Sequence, residues 1–135
     1  MAQSGKPNTV TIYPTLYSSG DVDVWRVGFE ENDSSCGCSF PSTDEDYAVT
    51  ATITVPANAG SYEVCNYQGG TCTVGSCITV AAGTSGSRQA WMDGCCSPIG
   101  CIETGTWWIF VRPVGSPGFE CSTYTLTANT QQGCR

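Results

Sequence analysis

The stretch Gly20–Phe29, GDVDVWRVGF, is where a polar loop gives way to a strand with one apolar side. Its residues alternate with the period of two that is typical of a β-strand, so Trp25, Val27 and Phe29 share one side. We expect these three side chains to face a core. The two aspartates that open the stretch lie on the same side, at the polar entrance of the strand.

Seven further stretches have the composition or alternation of short strands, and the residues between them are rich in turn formers. The eight predicted strands are Thr9–Tyr13, Gly20–Phe29, Tyr47–Val55, Ser61–Tyr67, Cys77–Ala82, Ser87–Met92, Thr106–Arg112 and Thr123–Ala128. Tyr47–Val55 alternates most regularly. Since no segment has helical periodicity, the chain is predicted to be all-β, an antiparallel β-sandwich.

Three segments resemble, in this order, the signature of bacterial pre-peptidase C-terminal domains. They are Asp21–Val27 (DVDVWRV), Gly105–Val111 (GTWWIFV) and Tyr124–Thr127 (YTLT). The likeness spans residues 10–128 and implies a small secreted β-sandwich with a jelly-roll-like path, usually non-catalytic and attached to extracellular enzymes or surface proteins. It also implies collagen or polysaccharide binding in some members and calcium binding in others. The many cysteines depart from the typical member.

The chain has 135 residues, which fits one domain. We expect residues 8–135 to form it and residues 1–7 to be a flexible or vector-derived N-terminus. Ten cysteines and no histidine indicate an oxidising compartment and up to five disulfides, hence a secreted or cell-surface protein. A zinc cluster is disfavoured because C-x-x-C and histidine are both missing.

All ten cysteines are predicted to form disulfides, in pairings that the sequence does not fix. They are Cys36, Cys38, Cys65, Cys72, Cys77, Cys95, Cys96, Cys101, Cys121 and Cys134. The short spacing of Cys72 and Cys77 suggests a bridge across a local turn. The last predicted strand carries the chain about 23 Å away from Cys121, at about 3.3 Å per residue. The few residues that follow the strand could only just return over that distance, so we expect Cys134 to pair elsewhere.

A net charge of −7, with Lys6 as the sole lysine, argues against partners that carry many negative charges. Nucleic acid and anionic membrane surfaces would be repelled. No apolar run reaches the length of about 18 residues that a membrane-spanning helix needs. We therefore expect neither nucleic-acid binding nor membrane insertion.

The alternation in Thr106–Arg112 predicts an aromatic strip on the outer face of a sheet. One side of this strand holds Trp107, Ile109 and Val111, and the other holds Trp108, Phe110 and Arg112. If the first set faces the core, the second set is placed to stack on sugar rings or on a partner protein. A one-residue shift in register would bury the strip and expose Trp107 instead.

Tyr67 and Trp91 are further candidates for ligand binding. The alternative for all these aromatic residues is a small secondary core beneath a disulfide-held loop, because monomers seldom leave such patches bare. The two interpretations predict the same strand register, so the sequence leaves both open.

Acidic residues suggest a calcium site, because calcium takes six to eight oxygen ligands. The candidate ligands are Asp21, Asp23, Asp44 and Asp46. The alternative is that these carboxylates cap turns or are solvated. Calcium is the one cofactor that the sequence suggests.

Catalysis has little support in the sequence. The absence of histidine removes the usual general base, and nothing fixes the separation of the carboxylates that glycoside hydrolysis would need. The chain is therefore predicted to be a non-catalytic binding module for an extracellular polymer, polysaccharide first and fibrous protein second. The alternative is a self-associating structural subunit or spacer of an extracellular surface assembly.

Overall fold

The structure, a computed structural model, describes residues 8–30, 45–68, 77–92, 104–115 and 121–134. These residues form eight β-strands and no helix, and so no helix among them is long and apolar enough to cross a membrane. The strands are β1 (Asn8–Ile12), β2 (Asp23–Glu30), β3 (Glu45–Thr54), β4 (Ser61–Gln68), β5 (Cys77–Val80), β6 (Ser85–Met92), β7 (Thr104–Val114) and β8 (Thr125–Cys134).

The strands form two four-stranded antiparallel sheets with the orders β1-β8-β3-β6 and β2-β7-β4-β5. Each sheet thus combines strands from both halves of the chain, and this interleaving of eight strands in two sheets is the jelly-roll arrangement. The predicted all-β, antiparallel, jelly-roll-like sandwich is confirmed.

The core lies between the sheets and is built from the inward side chains of alternating strands. From residue 49 to residue 55, in β3 and the residue after it, the buried positions recur every second residue, and the threonines between them point to the other side. The largest fully buried side chains are Trp107, Tyr62, Tyr124, Leu16, Ile53, Ile109, Leu126, Val49, Val55, Val64 and Val111. Trp25 and Val27 pack against this core from β2, as predicted, whereas the side chain of Phe29, the third residue of that prediction, is outside the described part of the structure.

A buried amide connects the two sheets. Asn66 is the third inward-facing residue of β4, after Tyr62 and Val64, and its side chain is only 3% exposed. Its Nδ2 donates to the backbone oxygen of Arg88 in β6 at 2.9 Å. Burying an amide is costly unless it finds a partner, so this bond fixes how the edge of one sheet lies on the other.

The last strand is longer than its sequence pattern predicts. Apolar alternation fades after Ala128, yet β8 continues to Cys134. It lies between β1 and β3, with Asn129 opposite Thr9 on one side and Thr50 on the other. A strand paired on both sides has its backbone groups satisfied even where its side chains are polar.

Candidate contact surface

The outer face of the sheet β2-β7-β4-β5 carries an apolar row that crosses all four strands. The register places Val24 opposite Phe110, Phe110 opposite Cys65 and Cys65 opposite Cys77. A second row, displaced by two residues along each strand, holds Arg26, Trp108 and Tyr67. Because residues two apart on a strand share a face, the two rows form one surface. We call the residues Val24, Tyr67, Trp108 and Phe110 the outer apolar face.

The strand register that predicts this surface is confirmed. Trp107 is 1% exposed and Ile109 is fully buried, whereas Trp108 and Phe110 are half-buried on the opposite side. The rings of Tyr67 and Phe110 lie with their centroids 4.1 Å apart and their planes tilted by 31°. Tyr67, a lesser candidate in the sequence, is therefore in direct contact with the strip.

Charged side chains border the outer apolar face. The Nε and Nη2 atoms of Arg112 each lie 2.6 Å from Oε2 of Glu63 on the neighbouring strand. Glu63 and Arg112 are also direct cross-strand partners in the register. The guanidinium is thus paired with a carboxylate of the same sheet, and the salt bridge ties β4 to β7 beside the aromatic rings.

Trp91 does not belong to this surface. It lies on β6, in the other sheet, where its indole N–H donates to Oε1 of Gln89 at 3.0 Å. Ala48, its cross-strand partner on β3, is 1% exposed. Trp91 therefore lies in a different sheet from the other four ligand-binding candidates, and its role in ligand binding stays a prediction.

A disulfide joins Cys65 to Cys77, with their Cα atoms 4.1 Å apart. The predicted bridge between Cys72 and Cys77 is therefore wrong. Cys65 and Cys77 face each other across the β4-β5 pair, and directly opposed residues of antiparallel strands approach closely enough for a bridge. This disulfide supports an oxidising, extracellular or surface location.

Cys121 is an exposed free thiol, so its predicted place in a disulfide is wrong within the single chain. The directions of the residues that follow Cys121 explain its exposure. Thr15 and Thr123 form an isolated bridge, and Ser122 and Tyr124 point inward. By alternation Cys121 lies on the outer side with Thr123, away from the interior. The expectation that Cys121 and Cys134 do not pair holds, because Cys121 is free.

The remaining predicted disulfide cysteines lie outside the described residues, or in strand positions where only the backbone is described. They are Cys36, Cys38, Cys72, Cys95, Cys96, Cys101 and Cys134.

The aspartates at the entrance of β2 accept hydrogen bonds from the protein. Asp21 accepts the backbone N–H groups of Tyr17 and Val22, each at 3.0 Å, and so caps the turn before the strand. Asp23 accepts the hydroxyl of Tyr124 at 2.6 Å. The turn-capping interpretation thus holds for Asp21, and calcium ligation stays a prediction.

The other two predicted calcium ligands are not placed by the structure. Asp44 lies outside the described residues, and only the backbone of Asp46 is described.

Sequence reasoning missed a hydrogen-bonded group at the end of the sandwich. The hydroxyl of Tyr124 donates to Asp23 and accepts the indole N–H of Trp25 at 3.2 Å. The ring of Tyr62 meets that of Tyr124 edge-on, with centroids 5.7 Å apart. Tyr124 and Asp23 each lie near the start of a predicted strand. They are 101 residues apart in sequence, so no local sequence pattern indicates that they are in contact.

The pKa values of two neighbouring buried tyrosines, Tyr62 and Tyr124, are both shifted upward. Burial raises the pKa of Tyr124 far above its usual value, and its hydrogen bond to Asp23 raises it further. Burial also raises the pKa of Tyr62, with smaller contributions from the neighbouring Cys121 and Asp23. Both phenols are therefore held in the neutral form, which donates a proton and has no charge to desolvate.

Replacing Tyr124 by phenylalanine is expected to lower the free energy of unfolding by about 1–3 kcal/mol at neutral pH, because Asp23 and Trp25 each lose a partner. Since the pKa of Tyr124 is higher in the folded state, the hydroxyl's contribution is present below about pH 10 and falls as pH rises beyond it. Tyr124→Phe should therefore reduce the alkaline loss of stability. Urea unfolding at several pH values measures both effects.

The matched control for this prediction is Tyr13→Phe, which removes a hydroxyl from a side chain that is 71% exposed. We expect it to change the free energy of unfolding by less than about 0.5 kcal/mol. An equal alkaline loss in the wild type and Tyr124→Phe would contradict the assignment of a buried neutral phenol at this position.

Comparison with known proteins leaves the family of this chain open. No protein-family model matches it, and no curated protein matches it significantly. The resemblance to pre-peptidase C-terminal domains therefore stays a prediction.

Among solved structures, the chain is similar to one described as "Bacillus endospore appendages form a novel family of disulfide-linked pili". The identity is 20%, the match covers 84% of this chain and 92% of that chain, and the TM-score is 0.41. A likeness at this level says nothing about what this chain binds or assembles with.

Proposed function

We propose that the protein is a structural subunit of an extracellular surface assembly, in which the outer apolar face is a contact between copies of the chain. The observation that carries this proposal is the continuity of that face across three strands, from Val24 on β2 through Phe110 and Trp108 on β7 to Tyr67 on β4. Exposed apolar surface of this kind is typical of protein–protein contacts.

The details of the face favour a protein partner over a sugar. One side of the Phe110 ring is occupied by Tyr67, which reduces the flat aromatic surface available for stacking. Val22 and Val24 are each 45% exposed at the edge of the face, and aliphatic side chains pack against other side chains better than they order a sugar ring. Arg112 is already paired with Glu63.

Cys121 gives independent support for association. An exposed free thiol in a disulfide-forming, cysteine-rich chain is suited to a bond with another molecule. Tyr17, which precedes the turn at the same end of the sandwich, is 78% exposed. A disulfide between copies would make an assembly resistant to dilution, as a structural role requires.

Val24→Lys tests the proposal by placing a charge at the edge of the outer apolar face without touching the core. We expect self-association of the oxidised protein, measured by sedimentation equilibrium, to weaken by about 10-fold or more, because the ammonium group would be desolvated in the contact. Val10→Lys is the matched control, since Val10 is 52% exposed on the other sheet. Equal association of Val24→Lys and the wild type would refute the proposed contact.

Polymer binding is the second candidate, because Trp108, Phe110 and Tyr67 together still form a half-exposed aromatic cluster. In this case the chain is a non-catalytic binding module for polysaccharide or, next, for a fibrous protein. Retention of the oxidised wild type on insoluble polysaccharide or collagen, lost in Trp108→Ala, would favour it. Retention that depends on calcium would support the predicted aspartate site as well.

A further inference from the structure

Three potential metal ligands come together on the outer side of the β4-β5 pair. The carboxylate of Glu63 and the sulfurs of Cys65 and Cys77 all lie within 4.8 Å of one another. Glu63 and Cys65 are two residues apart on β4 and so share a face, and Cys77 is opposite Cys65 on β5. Two neighbouring strands therefore hold the three groups in a fixed arrangement.

We propose that reduction of the Cys65–Cys77 disulfide creates a site in which these two cysteines and Glu63 bind a thiophilic divalent cation, with zinc as the reference ion. Two thiolates and a carboxylate are ligands that zinc uses in proteins, and three of them leave one coordination position open. The proposal is independent of the proposed assembly function.

The oxidised and metal-bound states exclude each other, since sulfurs bonded to one another do not act as two thiolate ligands. A dithiol reductant opens the site in two steps. One of its thiolates attacks Sγ of the half-buried Cys77, breaking the disulfide and releasing the Cys65 thiolate. Its second thiol then displaces Cys77 and closes the reductant's own disulfide, so that two electrons pass to the protein. Binding of the cation releases the protons of both thiols.

The surroundings suit the charge of the loaded site. A divalent cation with two thiolates and one carboxylate carries a net charge of about −1. The guanidinium of Arg112 lies 2.6 Å from Glu63 and offsets that charge. Both of its contacts are made to Oε2 of Glu63, so neither of them involves Oε1. The salt bridge with Arg112 thus orients the carboxylate of Glu63. Hydrogen-bond partners next to a metal site commonly orient its ligands in this way.

The ligand atoms need only small movements to bind zinc. Tetrahedral coordination with Zn–S distances of about 2.3 Å places two sulfurs about 3.8 Å apart. In the disulfide the two sulfurs are 2.00 Å apart, so after reduction they would separate by about 1.8 Å to reach this geometry.

The test is a zinc titration of the reduced full chain against a chromophoric chelator, with cadmium–thiolate absorbance as a second readout. Because other cysteines also bind zinc when reduced, the comparison rests on variants. We expect Cys65→Ser/Cys77→Ser to bind about one ion fewer than the wild type. Glu63→Gln keeps every thiol and should bind the ion at this site about 10-fold more weakly.

Tyr13→Phe is the control, because Tyr13 is 71% exposed and lies outside the proposed site. Its zinc affinity should equal that of the wild type. Unchanged affinity in Glu63→Gln, or unchanged stoichiometry in the double variant, would overturn the proposal. Loss of the β-sheet signal on reduction would also overturn it, since the site exists only while β4 and β5 stay paired.

Discussion

Trp107→Ala is expected to lower the free energy of unfolding by about 3–5 kcal/mol, the range for truncating a large buried aromatic side chain. Trp107 is 1% exposed and lies between the two sheets, so its removal leaves a cavity that rigid strands close poorly. Trp108→Ala, one residue along the same strand, should cost about 1 kcal/mol, because that side chain is half-buried on the outer face. Urea unfolding followed by far-UV circular dichroism measures both.

The adjacent pair is its own matched control, since the two substitutions remove the same side chain from neighbouring positions. Equal costs would mean that Trp108 is buried as deeply as Trp107, as in a secondary core. A larger cost for Trp108 would place the strand one residue out of register.

Cys65→Ala/Cys77→Ala is expected to lower the free energy of unfolding by about 2–4 kcal/mol. The bridge joins residues 12 apart in sequence, and its loss allows the unfolded chain more conformations. It also frees the β4-β5 pair at the edge of the sheet. Denaturant unfolding of the oxidised double variant measures this cost.

Cys121→Ala is the control for the double variant, because it removes a cysteine that is exposed and unbonded. We expect a change within about 0.5 kcal/mol. A cost below about 1 kcal/mol for the double variant would contradict a stabilising role for the bridge, and a large cost for Cys121→Ala would contradict its assignment as a free thiol.

The strands and their faces could be predicted because alternation is a local property. In β3 the threonines mark the outer side by their polarity, and a core that excludes water then fixes which side is inward. In β7 both sides carry apolar residues, so the assignment of Trp107 to the core rests on alternation together with the resemblance to pre-peptidase C-terminal domains. The aromatic strip follows from the same pattern.

Contacts between distant strands could not be predicted in this way. The Cys65–Cys77 bridge depends on the register of β4 against β5, and ten cysteines allow on the order of 900 complete pairings. The bond from Tyr124 to Asp23 requires that the ends of β2 and β8 meet across the two sheets. The position of Trp91 in the other sheet could not be predicted for the same reason, since only the topology decides which strands share a face.

The most direct test of the proposed assembly role is the sedimentation coefficient of the oxidised wild-type chain over concentrations from about 1 μM to about 1 mM. The account predicts that the weight-average value rises with concentration, and that Val24→Lys suppresses the rise. A value that stays at that of the monomer throughout this range would contradict a subunit built for contact between copies.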